Sequence, residues 1–382
     1  SFALFMEMGT GKSKVILDTA SYLYDNGKID TLLIIAPKGA YRNWHINEIP
    51  QHLANHIIYR YAIWSAAPRK KEKAYLEDIV RAGDELRIVI MNVEAFSSTK
   101  GVKWATSFLN TSRAMMVIDE STTIKNPTAK RTKAIIKLGT MAKYRRILTG
   151  EPVTRDPLDL YSQCEFLDEF HLGFSSFYTF RNRYAIMVNM NLGHRSFKKV
   201  TGFQRMDELN DLLRKFSFRV KKDDCLDLPE KTYQYRYVDM TKEQEKAYQE
   251  MKDICMTTTK ETVVTVPNKL SMLGKLHQIV CGHIIDNNGN INYLNNNRLE
   301  SLLELTEEVD NKCIIWACYR ADLIKISKEL RDKYGADMVV EYWGDTDDKE
   351  RKENIKAFTL GKPKFFVANP ATAGFGLNLQ VA

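Results

Sequence analysis

The chain has 382 residues, 44% of them apolar and 27% charged, the make-up of a globular protein with room for two or three domains. No apolar run is long enough to cross a bilayer as a helix, and the six scattered cysteines contain no C-x-x-C pair, so they read as free thiols of a reducing cytoplasm rather than a zinc module. The net charge of +8 favours a polyanionic partner.

The chain begins Ser1-Phe2 without an initiator Met, as a piece of a longer protein would. Phe2-Ala3-Leu4-Phe5 predicts a buried strand, and Val15, Ile16, Ala20 and Leu23 recur at helical spacing, so a helix begins near Lys12. Between them, Met8-Gly9-Thr10-Gly11-Lys12-Ser13 reads as a phosphate-binding loop. The glycines let the backbone wrap an anion, and the free N–H groups of the helix start point at it. In such a loop Lys12 reaches the β- and γ-phosphates and the Ser13 hydroxyl holds Mg²⁺. The full pattern wants a glycine where Met6 stands, so an ordinary strand–turn–helix is the alternative on these residues alone.

Apolar runs at Leu32–Ala36, Arg87–Met91, Met115–Ile118 and Tyr144–Leu148 predict further buried parallel strands, with a helix over Tyr41–Leu53. This alternation predicts a doubly wound α/β domain. From about Phe170 to Pro229 the rhythm stops, aromatic and basic residues dominate, and the expectation is mostly helices. Tyr233–Val238 predicts a strand. Thr241-x-x-Gln244 predicts a capping box that opens a helix to about Cys255. Thr257–Asn268 predicts a loop, Leu270–Val280 a helix, and Asp286–Asn297 a turn or hairpin. Alternation resumes after Arg298, with strands at Lys312–Ala317, Met338–Tyr342 and Lys364–Ala368.

Charge is unevenly spread. Ser121–Gly150 holds eight Lys or Arg and no carboxylate, and a second basic excess runs from Arg181 to Lys231 through Lys198, Lys199, Arg214, Lys215, Arg219, Lys221 and Lys222. Beside a nucleotide site, such windows suit a phosphate backbone. Val117-Ile118-Asp119-Glu120 supplies two carboxylates at a strand tip, one to hold Mg²⁺ and one to position the attacking water. Together with Lys12 and Ser13, this pair points to ATP hydrolysis.

Four stretches then fall in a familiar order: Met8–Ser13, Ile35-Ala36-Pro37-Lys38, Asp119-Glu120-Ser121 with Ile124-Lys125-Asn126, and Leu148-Thr149-Gly150-x-Pro152. The chain resembles the superfamily-two helicases, and in its Asp-Glu to Lys-Asn spacing the Swi/Snf-like branch. Leu213–Phe216, Arg219, Lys221 and Leu228–Lys231 resemble that branch too, Lys312–Ala317 its fourth motif and Thr372–Leu379 its fifth. The compact form resembles phage or bacterial members, in which case the location is a bacterial or host cytoplasm.

The resemblance implies two RecA-like lobes with parallel sheets, ATP and Mg²⁺ between them, and translocation on duplex DNA. Its implied bounds are 1–169 for the first lobe, 170–232 for a helical basic insertion, 233–297 for linker helices and a hairpin, and 298–382 for a second, truncated lobe. By position it implies that Met8, Gly9, Thr10, Gly11, Lys12 and Ser13 bind ATP and that Ser13 and Asp119 serve the metal. Lys12, Asp119 and Glu120 are then catalytic, and Thr149 and Gly150 couple hydrolysis to movement. Lys38, Arg42, Trp44, Lys125, Asn126 and Thr372 are expected to contact DNA. Departures are Met6 for a usual Asp, Ser121-Thr122 for Ala-His or Gly-His, and Glu151 for Thr. The sixth motif, with its arginine fingers, has no counterpart before Ala382, so this stretch by itself is expected to bind ATP and DNA but turn over slowly. Two other functions fit the same motifs: a strand-separating DNA or RNA helicase, and an ATP-gated DNA-binding module serving a nuclease or polymerase.

Overall fold

The computed structural model describes residues 1–81, 83–192, 195–225, 227, 231–258, 263–266, 268–374, 377, 379 and 381, and they form two compact units, Ser1–Pro229 and Glu230–Ala382. Phe375, Gly376 and Asn378 of the fifth motif, and Leu228-Pro229-Glu230, lie outside the described residues.

Runs that are apolar at every position become strands covered on both faces. In β1 (Phe2–Met6), Ala3 and Phe5 enter one core while Leu4 and Met6 enter the other, so neither face tolerates a polar residue. With β2 (Thr31–Ala36), β3 (Tyr59–Ile63), β4 (Leu86–Asn92), β5 (Ala114–Asp119) and β6 (Tyr144–Thr149), β1 builds the sheet of the first unit. A hairpin, β7 (Ala185–Leu192) and β8 (Arg195–Phe203), precedes the seventh sheet strand, β9 (Ser217–Val220). The order is β3-β4-β2-β5-β6-β1-β9, with every pair parallel.

The edge strands β3 and β9 were not expected. Tyr59–Ile63 has one buried position and Ser217–Val220 has none, so neither carries the continuous apolar run of a central strand. β9 returns the chain to the sheet beside β1, where Lys222 N–H donates to Glu7 Oε2 at 2.9 Å.

At the N-terminal ends of the strands, Arg87 is a fully buried charge. It donates to Asp30 Oδ1 and Thr111 O at 3.0 Å and to Val80 O at 3.1 Å. Asp30 also accepts from Arg113 N–H at 3.0 Å and Nε at 3.1 Å. This cluster ties the starts of β2, β4 and β5 together.

The reading of 170–229 as mostly helical is corrected. Helices Phe177–Tyr184 and Met206–Arg214 flank the β7–β8 hairpin. The alternation of Ile186, Met187, Val188, Asn189, Met190 is a strand period of two, hidden among aromatic and basic neighbours.

In the second unit the capping box forms: Thr241 N–H donates to Gln244 Oε1 at 3.1 Å and Gln244 N–H to Thr241 Oγ1 at 3.3 Å, opening the helix Lys242–Ile254. The expected loop 257–268 instead contains a short hairpin, β10 (Met256–Thr258) with β11 (Val263–Thr265). Tyr233–Val238 is not a strand: it has no pairing partner among the described residues, and Tyr233, Tyr235 and Tyr237 stand in solvent. Hairpin β12 (His283–Ile285) and β13 (Ile291–Tyr293) follows. Then β14 (Cys313–Trp316), β15 (Val339–Tyr342) and β16 (Phe365–Ala368) form a parallel sheet in the order β14-β16-β15, covered by helices Asn297–Glu308, Arg320–Tyr334 and Asp348–Leu360. Parallel α/β sheets in both units are the expected fold class.

Candidate active site

In parallel α/β sheets, ligands meet the C-terminal ends of strands. There the first unit brings together residues from β1, β5 and β6. After Met6 the chain turns through Gly9 (φ +85°) and Gly11 (φ +93°), left-handed conformations that side chains resist. A Cβ at either glycine would meet no atom within 4 Å, so the turn opens outward. Thr10 braces it by donating its hydroxyl to Glu7 O at 2.7 Å. Gly11 then starts helix α1 (Lys12–Asp25) with no side-chain cap, which leaves first-turn N–H groups for an anion. Ser13 is half-buried in that first turn, and Met8 is exposed.

Lys12 folds back over the loop. Its Nζ donates to Met6 O at 2.9 Å and Glu7 O at 3.0 Å. Burial lowers its pKa, while Glu120 and Asp119 pull the other way. The ammonium therefore sits in the field of the carboxylate pair, although β6 separates β1 from β5 in the sheet.

Asp119 ends β5. Its Oδ2 accepts the indole N–H of Trp44 at 2.8 Å and its Oδ1 accepts Glu120 N–H at 3.0 Å. Glu120 adopts φ 51°, ψ 63°, a left-handed conformation unusual for a glutamate and a mark of local strain. Thr149, the last residue of β6, donates its hydroxyl to Glu120 Oε2 at 3.3 Å. Burial raises the pKa of both carboxyls, and the Asp119 charge raises that of Glu120 further. Gly150 runs beside the glycine turn: a Cβ there would lie 3.5 Å from Glu7 Cα and 3.7 Å from Met8 N. Lys12, Asp119, Glu120, Thr149 and Gly150 are thus assembled at the C-terminal ends of three adjacent strands. A basic group, an uncapped helix start and two desolvated carboxylates can together hold a phosphate chain with a hard cation.

Trp44 is the clearest departure from expectation. Expected to contact DNA, it is 1% exposed and its N–H is spent on Asp119. Pro50 lies one turn further along the same helix. It has no N–H for the carbonyl four residues back, and its ring clashes there. The helix widens over Trp44–Glu48, where Ile49 N–H reaches Trp44 O five residues back.

Of the other expected DNA contacts, Lys38 is exposed in the turn after β2. Arg42 is half-buried, with Nε donating to Tyr41 Oη at 3.1 Å. Asn126 is exposed, and its Oδ1 accepts Thr128 N–H at 3.0 Å. Lys125 bonds the Thr154 hydroxyl and lies 3.6 Å from Asp159 Oδ2. Asp159 is buried, yet bonds from Thr154 and Arg155 and the Lys125 charge outweigh that burial and keep its carboxyl below the ordinary range. Thr372 belongs to the second unit, in the short helix Pro370–Ala373, with its N–H on Asn369 O at 3.1 Å.

Gln163 was missed. Fully buried in the helix Leu160–Leu167, its Oε1 accepts the Ser121 hydroxyl at 2.6 Å, and its Nε2 donates to Pro152 O and Asp159 O at 2.8 Å. It joins the segment after Glu120 to the segment after Gly150. A lone glutamine in an otherwise well-buried helix was the available signal.

A family model described as SNF2-related domain matches residues 2–284. YwqA of Bacillus subtilis, named for an ATP-dependent helicase/translocase, is 25% identical over 396 residues, covering 98% of this chain and 39% of that protein. MG018 of Mycoplasma genitalium, named an uncharacterized ATP-dependent helicase, is 27% identical over 381 residues, covering 98% of this chain and 34% of that protein. The chain therefore spans well under half the length of these curated relatives. In fold it is similar to the DUF1998 helicase MrfA bound to DNA, with a TM-score of 0.51 at 14% identity, over 99% of this chain and 41% of that one. With a family match over most of its length, beside the glycine turn and the carboxylate pair, this chain belongs to the SNF2-related family.

Proposed function

We propose that this chain is the ATP-hydrolysing motor part of a protein that moves along duplex DNA. The observation that carries the reading is the meeting of Lys12, Asp119, Glu120 and Thr149 at one end of the first unit's sheet, in a chain of the SNF2-related family. The basic windows at 121–150 and 181–231 supply the charge for a DNA backbone.

Mg²⁺ and ATP fit the residues present, since the turn over Gly9 and Gly11 is open and two desolvated carboxylates face an ammonium. Met8 to Ser13 would hold the phosphates, and Ser13 and Asp119 the metal. When bound, Mg²⁺·ATP supplies the phosphoanhydride whose hydrolysis drives movement. Lys12 exchanges the carbonyls of Met6 and Glu7 for phosphate oxygens. Glu120, its pKa raised by burial and by Asp119, accepts a proton from water more readily than an exposed glutamate. Thr149 holds the Glu120 carboxylate toward β6, and Gly150 lets β6 and the phosphate turn move as neighbours. Trp44 orients Asp119. Lys125, tied to Asp159 and Thr154, and exposed Lys38 and Asn126 contact the DNA backbone, with Thr372 doing so from the second unit.

The test is steady-state ATPase activity and DNA binding with duplex DNA, single-stranded DNA and RNA. Duplex DNA should stimulate turnover most, and Lys12→Ala should remove ATP binding while the melting temperature holds. Equal turnover with and without nucleic acid would reduce the chain to a binding module, and preferential stimulation by RNA would make it a different motor.

A further inference from the structure

The β7–β8 hairpin starts on the core of the first unit and then leaves it. At its base Met187, Val200 and Phe203 pack against buried core residues. The register pairs Met187 with Val200, Val188 with Lys199, Asn189 with Lys198 and Met190 with Phe197. Side chains alternate across a strand. Ile186, Val188 and Met190 therefore share one face with Phe197 and Lys199, while Asn189, Lys198 and Ser196 take the other. Ile186, Val188, Met190 and Phe197 are 45%, 47%, 39% and 47% exposed. Apolar side chains scattered singly over a surface are ordinary, but four on one ribbon face call for a partner.

Charge selects the partner. Between Glu169 and Asp207 the sequence has six Lys or Arg and no carboxylate. Lys198 and Lys199 are exposed, and neither is paired with a carboxylate among the described residues. Such a ribbon attracts a polyanion, and lysines are its phosphate contacts. The apolar side chains need something else, because phosphates offer them nothing. Bases present flat apolar faces, on which aromatic side chains stack and against which Met and Phe act as wedges. In continuous duplex those faces are covered by the next base pair. They are uncovered where the duplex opens.

Resting on the reading of the chain as a DNA motor, we infer that the β7–β8 hairpin recognises open ends and junctions of duplex DNA. Met190 and Phe197 meet the last stacked base pair, and Lys198 and Lys199 hold the flanking phosphates.

The experiment uses the whole chain and two DNAs of one sequence, the first closed at both ends by loops and the second with splayed ends. Wild type should bind the splayed DNA more tightly. Met190→Ala combined with Phe197→Ala should lose roughly tenfold on splayed DNA, as removal of a base stack does, and nothing on closed DNA. Its ATPase stimulation by closed duplex should match wild type. Lys198→Ala combined with Lys199→Ala should weaken both complexes and lower the log–log salt slope by about 2. A 2-aminopurine in the terminal pair should change fluorescence with wild type and not with Phe197→Ala alone. The inference is overturned if the apolar variant keeps the preference for splayed DNA, or if wild type has no preference while binding and hydrolysing normally. If wild type binds neither DNA, the motor reading falls first and the hairpin inference with it.

Discussion

The two ends of the seven-stranded sheet both bury charge, in opposite conditions. At the N-terminal end Arg87 is surrounded by acceptors, and Asp30 by donors from Arg113, Thr31 and Arg87. At the C-terminal end Asp119 and Glu120 lie side by side with raised pKa values, under an ammonium occupied by loop carbonyls. The first cluster pairs its charges within the fold, with Arg87 Nε the atom of that guanidinium left without an acceptor among the described residues. The second leaves negative charge incompletely answered and strains Glu120 into a left-handed turn. Charge satisfied within the fold stabilises it, whereas charge left unanswered is held for a ligand and costs the fold stability until the ligand arrives.

The contrast is broken most sharply by neutralising each end. Glu120→Gln should lower kcat by about 10²–10⁴, the range for loss of a positioned base, while ATP binding persists. Because it removes one of two neighbouring half-buried carboxylates, it should hold or raise the melting temperature. Equal turnover in wild type and variant would end the role given to Glu120. Arg87→Ala should do the reverse. Stranding Asp30 and several carbonyls should cost about 3–5 kcal/mol in denaturant unfolding, and any folded protein left should keep its ATP affinity.

Gln163→Leu tests the link between the segments. It leaves the Ser121 hydroxyl and Pro152 carbonyl buried without a partner, so about 1–3 kcal/mol should be lost. If the bridge transmits between the two segments, DNA stimulation of turnover should fall more than basal turnover does. An unchanged ratio would make Gln163 a packing residue only.

The smallest effect is acid sensitivity. Burial would raise the Asp30 pKa, but bonds from Arg113, Thr31 and Arg87 outweigh it and hold the folded value below the ordinary one. Its contribution is therefore complete above the unfolded pKa of about 3.9 and is lost as pH falls through the lower folded value. Asp30→Asn should flatten that acid limb of the stability curve. An unchanged limb would assign acid unfolding to other carboxylates.

The central strands were legible because burial on both faces forces continuous apolar runs, as in Leu32–Ala36. β3 and β9 escaped because an edge strand is half wet, and β7 because Met187 puts an apolar residue between Ile186 and Val188 and blurs the period of two. At the candidate site, the meeting of Lys12, Asp119 and Glu120 was legible since each stands in a short local motif at a strand end. Trp44 was not. Its partner lies 75 residues away in sequence, and the ring stands at the start of a widened helical turn that the sequence pattern does not announce. Asp159 and Gln163 were hidden for the same reason, as their partners converge only when β5 and β6 lie side by side.

The bond between Trp44 and Asp119 has an optical consequence. Indole emission responds to nearby charge, and this ring hydrogen-bonds directly to a half-buried carboxylate whose charge a bound cation would offset. Trp44 is thereby a native chromophore wired to one atom of the proposed nucleotide site. With Trp64, Trp104, Trp316 and Trp343 replaced by phenylalanine, the colour of the remaining emission would follow the occupancy of Asp119 in real time, without a label.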